Sequence, residues 1–463
     1  MNRQFARAGR SGSVRRACGI TFVIALAVVK GAEEPQSVEK LVAQLQTGDV
    51  PGRRDASYFL QRLGPKAKDA LPALIKAIAD EDKQVWSNSV AAIAAIGPDA
   101  KEAIPVLLED LASKEGQGRG RRNFDRSQRM FRSAHALSRI GPAAIPPLIQ
   151  GLSSDDATLR AGSAKALGGM GTVANESIPA LIANLNHGDN DVQREVVEAL
   201  AIMGADAKAS LIPALSDKES RTRQSAVLAL AAMGKDSNDV AAVMLERLSV
   251  ETDTNVRISL LTALPKLGAD SKILVPRLIE GLNDSNESIR RASVNGLLSF
   301  PTAKKEIVEA LTNQVRDKNK ESSLRAAYVL GRFGSGAESA VPALLDVASM
   351  QTPPDQILVE ALVQVGEPVV PRLLSAAEKV PLDQMTSEHW MVKCLQSMGS
   401  FAVNPVRNGL GHKNPSVRLL SVRALTALGR DAEDAATSLL EKLDDPDVRV
   451  RAAALGALVS VEA

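Results

Sequence analysis

The chain has 463 residues, 45% hydrophobic but only 3% aromatic, and a formal charge of +2. So long a chain with so few rings favours many small aliphatic contacts in a repeat array over one thick globular core. Without the six basic residues of 1–32, 50 basic side chains face 54 acidic ones, a balance that argues against a protein built to grip a phosphate backbone.

At the N-terminus, Arg3, Arg7, Arg10, Arg15 and Arg16 precede an apolar run at 17–29, followed by the small Gly31 and Ala32 and the acidic Glu33 and Glu34. That order is the pattern of an export signal. The run is also short of the roughly 20 apolar residues a membrane span requires. The expectation is a signal over 1–32 that is cleaved, leaving 33–463 in the periplasm, the cell envelope or the medium. An uncleaved anchor and a terminal helix of the array are the alternatives. Cys18 belongs to this segment, so Cys394 stands alone beyond it and no internal disulfide can form.

From Arg53 onward one pattern recurs: an apolar helix, B, that closes on glycine, a short turn, and Pro-x-Leu opening a helix A. The closing positions are Gly64, Gly97, Gly141, Gly171, Gly204, Gly234, Gly268, Pro301, Gly334, Gly366, Gly399, Gly429 and Ser460, most of them 30 to 34 residues apart. Counting back from each closing residue, positions eight, five, four and one before it are small or apolar, as with Leu260, Ala263, Leu264 and Leu267. These positions form one stripe of an amphipathic helix. Glycine at the closing position suits a left-handed cap. Pro72, Pro105, Pro179, Pro276 and Pro342, eight residues later, suit the first turn of helix A.

Eleven residues before the closing position stands an arginine in seven repeats: Arg53, Arg160, Arg223, Arg257, Arg290, Arg418 and Arg449. With Asp217, Glu251 and Asp284 each six residues ahead of one of them, the spacing predicts an ion-pair ladder between layers. Two stretches depart from the repeat. One is a basic insertion at 114–132, carrying Arg119, Arg121, Arg122 and Arg126 and expected as a surface or binding loop; the other is an irregular stretch at 378–389.

Pro-x-Leu, then Asp, Val-Arg and Ala-x-x-Ala-Leu-x-x-Leu-Gly resemble HEAT repeats, in the variety also found in phycobilin-lyase-like proteins. The resemblance implies an all-α, right-handed α-solenoid of about 12 hairpins, roughly 100 Å long at about 9 Å per layer. It implies a scaffold rather than an enzyme, with helix B lining the concave side. On that side the densest candidate patch is Arg54, Tyr58, Arg62, His135 and Arg139, suited to an acidic protein, a polyanionic glycan or lipid head groups, with a protein partner the leading expectation. The subtype also implies an alternative, a lyase-like or accessory subunit for a tetrapyrrole-bearing partner.

No catalytic residue, cofactor or metal ligand set is expected. His135, His187, His389 and His412 lack the following Glu that a HEAT-type iron oxygenase would need. Cys394 falls where other repeats have alanine, which makes it core filler. Gly168, Gly169 and Gly171 have neither the preceding strand nor the following Lys-Ser/Thr of a phosphate loop, and suggest a loosely closed helix.

Overall fold

A computed structural model describes residues 37–112, 124–300 and 303–462. The expected export signal at 1–32, the closing residue Pro301, and Arg119, Arg121 and Arg122 of the basic insertion lie outside these residues.

The described residues form an all-α solenoid of helix pairs with no strand among them. The B helices are α1 (Val50–Leu63), α2 (Lys83–Ile96), α3 (Phe124–Ile140), α4 (Ala157–Met170), α5 (Asn190–Met203), α6 (Ser220–Ala232), α7 (Thr254–Ala263), α8 (Glu287–Ser299), α9 (Lys320–Arg332), α10 (Gln356–Val365), α11 (Trp390–Met398), α12 (Pro415–Leu428) and α13 (Val448–Glu462). Each is preceded by a helix A, mostly shorter. A helices pack on A helices and B on B between successive repeats, which makes two layers with the aliphatic core between them. The core is leucine, alanine, valine and isoleucine, including the fully buried Leu260 and Leu264, so the expected stripe faces inward.

Local chemistry sets where each B helix starts and stops. Asp82, Asp156, Asp189 and Asp253 accept hydrogen bonds from the first free N–H groups of α2, α4, α5 and α7, and Asn286, Asn319 and Asn414 do the same for α8, α9 and α12. At the other end the closing glycines all have positive φ. Several are not in the left-handed helical region: Gly64 has φ 56° and ψ −130°, and Gly399 has 67° and −149°. That is the mirror image of extended backbone, which is essentially closed to any residue with a Cβ. The chain therefore turns sharply into a 3-10 segment before helix A, for example Gly97–Ala103. Pro72, Pro179 and Pro342 enter helix A in its first turn, whereas Pro276 sits inside the continuous helix Ser271–Gly281.

The ladder exists, with a geometry that spacing within one repeat does not reveal. Arg223 donates through Nε and Nη2 to both carboxylate oxygens of Glu251, at 2.8 Å each, and through Nη1 to the Asp217 and Lys218 carbonyls of its own turn. Arg53–Asp80 and Arg418–Asp445 repeat the two-pronged arrangement, and Arg257 reaches Asp284 at 2.9 Å. Glu251 and Asp284, each six residues ahead of a ladder arginine, thus belong to the arginine of the preceding repeat. Asp217, preceded by Gln193 at the ladder position, pairs with no arginine among the described residues and accepts from Glu219 N–H. Each rung fastens one hairpin to the next.

Three rungs depart from the expected set. Arg160 holds the Ser154 carbonyl and the Asn184 side-chain oxygen and meets no acid among the described residues. Arg290 holds the Asp284 and Ser285 carbonyls but likewise meets no acid among the described residues. Arg449 is not a rung: it pairs with Asp447 two residues away, while Arg451 donates to the Asp445 and Pro446 carbonyls as a ladder arginine should. The last repeat is therefore registered two residues later than Ser460 suggested, and α13 runs on to Glu462. At α2 the ladder position is Trp86, whose indole N–H donates to the buried Asp110 at 3.3 Å. Arg129 from α3 also binds Asp110 and stacks over the Trp86 ring.

Gly168 and Gly169 belong to a tight contact rather than a loose end. A Cβ on Gly168 would stand 2.9 Å from the Ala199 Cα of α5, and one on Gly169 would stand 3.1 Å from Ser138 of α3. Where loop was expected as far as residue 132, helix α3 begins at Phe124, because Met130, Ala134 and Leu137 already follow the buried stripe. The stretch 378–389 is a run of turns anchored by the fully buried Met385.

Candidate binding grooves on the helix-B face

Because the apolar stripe of each B helix faces inward, its opposite side is left outermost, and grooves run between neighbouring B helices. Between α2 and α3 lies a cleft of about 360 Å³ lined by Val90, Ala91, Ala94, Phe131 and His135. A smaller one, about 150 Å³, spans α3 to α5 over Gly168 and Gly169, which keep its floor low. Between α5 and α6 a cleft of about 600 Å³ is lined by Val197, Ala201, Ile202, Leu228 and Ala232. A cleft of about 580 Å³ separates α8 from α9.

The five patch residues divide into two groups. Arg54, Tyr58 and Arg62 form an exposed stripe on α1, and His135 and Arg139 are exposed on α3. Helix α2 runs between them and presents only small side chains there, Ala91 and Ala95. Arg54 is not free for a ligand, since it grips Asp82 through two hydrogen bonds of 2.9 and 2.6 Å. Those hydrogen bonds, with help from the Val85 and Gln84 N–H groups, hold the Asp82 carboxyl down to about 2. Asp82 also caps α2, so Arg54 fastens hairpins together. Tyr58 and Arg62 engage each other, hydroxyl to guanidinium at 3.1 Å, and Tyr58 packs edge-on against Phe59. His135 lines two of the clefts. Of the four basic-loop arginines only Arg126 falls within the described residues, by its backbone inside α3.

Sequence reasoning missed the apolar anchors of this face: Phe131, Ile202 and Leu228 are 57%, 53% and 41% exposed. They occupy outward positions ten, two and six residues before their closing glycines, so the signal was present in the repeat register. Lys165 lies over the Phe131 ring and pairs with Glu195 at 2.8 Å.

The remaining candidates are engaged in structure. His187 and His412 accept from the N–H of Asp189 and Asn414, at 3.1 Å each. His389 accepts from Met391 N–H and is held below its usual range by burial. Cys394 is fully buried, which pushes its thiol up to about 12. Burial alone would raise Glu251, but hydrogen bonds from Arg223, the Asp253 N–H and Arg247 outweigh it and hold the carboxyl at about 2. Among the described residues, no group of three His, Cys, Asp or Glu side chains is placed to hold a metal ion, and no helix is long and apolar enough to cross a membrane.

Two layers of stacked helical hairpins, fastened by inter-repeat arginine rungs and grooved along one face, define a helical-repeat solenoid. The family description "HEAT repeats" matches residues 131–201, 178–265, 275–365 and 370–459, and the chain belongs to the HEAT-repeat family. The match stops at the family and does not distinguish the phycobilin-lyase-like variety. No curated protein sequence matches the chain. Among solved structures the chain is similar to Kap95 in its complex with Nup1, at 14% identity and TM-score 0.43 over 92% of this chain and 68% of that one. It is similar to a mutant of Kap121p at 12% identity and TM-score 0.49 over 94% and 58%. Yeast importin-beta (Kap95p) matches at 13% identity and TM-score 0.39 over 92% and 68%. The chain thus spans about three fifths to two thirds of the length of these proteins, and likenesses of this degree say nothing about partners.

Proposed function

We propose that this protein is a non-enzymatic scaffold that holds a protein partner along its helix-B face. The observation that carries the reading is the row of grooves between successive B helices, furnished with the exposed anchors Phe131, Ile202 and Leu228. Because successive repeats contribute one anchor or cleft wall each, the surface suits an extended or helical segment that crosses several repeats. The side chains that would be nucleophile or acid–base candidates support a binding role: the thiol is buried and the imidazoles of His187, His389 and His412 cap turns. No feature of the grooves favours the lyase-like reading.

The pattern at 1–32 supports work in an exported compartment. Mass spectrometry of the N-terminus after cell fractionation tests this: a chain starting shortly after residue 32 in the periplasmic or secreted fraction is expected, and an intact cytosolic N-terminus refutes it. The scaffold reading is tested by placing a photo-crosslinking phenylalanine analogue at Phe131, Ile202 and Leu228, and at the exposed Ile273 and Phe401, which lie outside the B helices. The three B-face sites should capture the same polypeptide, with none from the other two. Capture only at Ile273 or Phe401 would assign the wrong face, and capture nowhere would remove the scaffold role.

A further inference from the structure

The junction between α8 and α9 differs from the rest of the ladder in a way that points to a ligand. Arg290 is held by the Asp284 and Ser285 carbonyls at 2.9 and 2.8 Å, as Arg223 and Arg418 are held by theirs. Those two spend the remainder of the guanidinium on both oxygens of a carboxylate in the next repeat. The acid in the corresponding place for Arg290 is Asp317. It accepts from Asn319 N–H at 2.9 Å, as the acids of the closed rungs do from their own turns, but also from the Ser322 hydroxyl at 3.3 Å, and it forms no ion pair with Arg290. The guanidinium of Arg290 is therefore positioned for a carboxylate that the described residues do not supply.

Where the rung is open, the two helices enclose the cleft of about 580 Å³ that Arg290 lines. Arg332 lines the same cleft, donates to the Tyr328 hydroxyl at 3.2 Å and meets no carboxylate among the described residues. The other cations there are neutralised within their own helices, Arg291 by Glu287 and Arg325 by Glu321. Val294 and Leu324 supply apolar wall, and Tyr328 is 42% exposed. Two guanidinium groups without acid partners, on either side of an apolar and aromatic wall, match a segment that carries carboxylates around an apolar side chain.

We infer that the α8–α9 cleft binds an acidic peptide segment, one carboxylate of which completes the open rung at Arg290. The inference rests on the scaffold reading and names the chemistry of the partner at one of its grooves. A planar fork already held by two carbonyls loses little freedom on meeting a carboxylate, so Arg290 gives geometric selectivity and Arg332 adds charge.

The test uses the chain from residue 33 and a fluorescein-labelled peptide, Gly-Glu-Glu-Leu-Asp-Glu-Phe-Glu-Gly, compared by anisotropy with a counterpart in which every acid is its amide. The acidic peptide should bind at least about tenfold more tightly than the amide form. Arg290→Gln and Arg332→Gln should each lose about tenfold, and Arg372→Gln on the exposed side of the A helix Val369–Ala377 should lose nothing, with equal helicity by circular dichroism throughout. Arg332→Gln keeps the test open if Arg290→Gln folds poorly, because Arg332 meets only a tyrosine hydroxyl. Equal affinity for both peptides, undiminished binding by the two groove variants, loss in Arg372→Gln alone, or no binding up to about 1 mM would overturn the assignment. In those cases crosslinks at Phe131, Ile202 and Leu228 leave the scaffold reading standing, and their absence removes both.

Discussion

The junctions α6–α7 and α8–α9 use the same arginine in the same place, and they differ in whether the next repeat delivers an acid. At α6–α7, Glu251 is fully buried and receives Arg223 and Arg247 together, so the layers are joined by a closed charged network. At α8–α9, Asp317 accepts from the Ser322 hydroxyl and pairs with no arginine among the described residues, and the layers stand apart around a cleft. One ladder position thus serves as a fastener in one repeat and as a site in another. The lesson is that a repeat array makes binding surface by omitting a structural contact as readily as by adding a side chain.

The comparison is broken most severely by removing the acid of the closed rung. Glu251→Gln should cost about 3–5 kcal/mol in urea unfolding, because it leaves buried guanidinium groups short of their counter-charge. Leu264→Ala, in the core layer beside that rung, should cost roughly 2–5 kcal/mol through the cavity it opens; a loss below about 0.5 kcal/mol would show that the stripe does not face inward. Acid should sharpen the contrast. Glu251 is depressed from 4.5 to about 2 in the folded chain, so its stabilisation is fully present above pH 4.5 and is lost as pH falls towards 2. The loss should reach about 3 kcal/mol and be absent from Glu251→Gln.

A smaller effect tests the packing beneath the open junction. A Cβ at Gly281 would collide with the Ser293 hydroxyl of α8, so Gly281→Ala should cost about 1–3 kcal/mol, and adding Ser293→Ala should recover part of it. Smallest of all, Asp317→Asn should change stability by less than about 0.5 kcal/mol, since Asp317 closes no rung. A loss comparable with that of Glu251→Gln would show that the α8–α9 rung closes in solution.

Much of the fold was legible in the chain because its signals are local. The inward stripe around Leu260 and Leu264 follows from helical periodicity, and Gly64 or Gly399 marks a turn through the φ that only glycine tolerates. The candidate site was legible in part: Tyr58, Arg62, His135 and Arg139 are exposed on the B face as expected. Arg54, however, spends its charge on Asp82, 28 residues away, and periodicity within one helix carries no record of that partner. The shift from Arg449 to Arg451 escaped for a similar reason. Because no acid of another repeat reaches Arg451 among the described residues, only the carbonyls of its own turn identify the ladder arginine, and both candidates lie near an acid in sequence.

The sequence by itself determined the repeat, the direction each helix faces and the ends of most hairpins, since these depend on the covalent geometry and hydrophobic spacing of contiguous residues. Tertiary structure alone decided which arginines are fasteners and which are free, because that choice depends on whether a carboxylate from the next layer arrives within about 3 Å of a guanidinium. It also decided where the layers close, as at Gly168 against Ala199, and where they part, as at Arg290. Such distances are set by the packing of whole hairpins, and no residue encodes them alone.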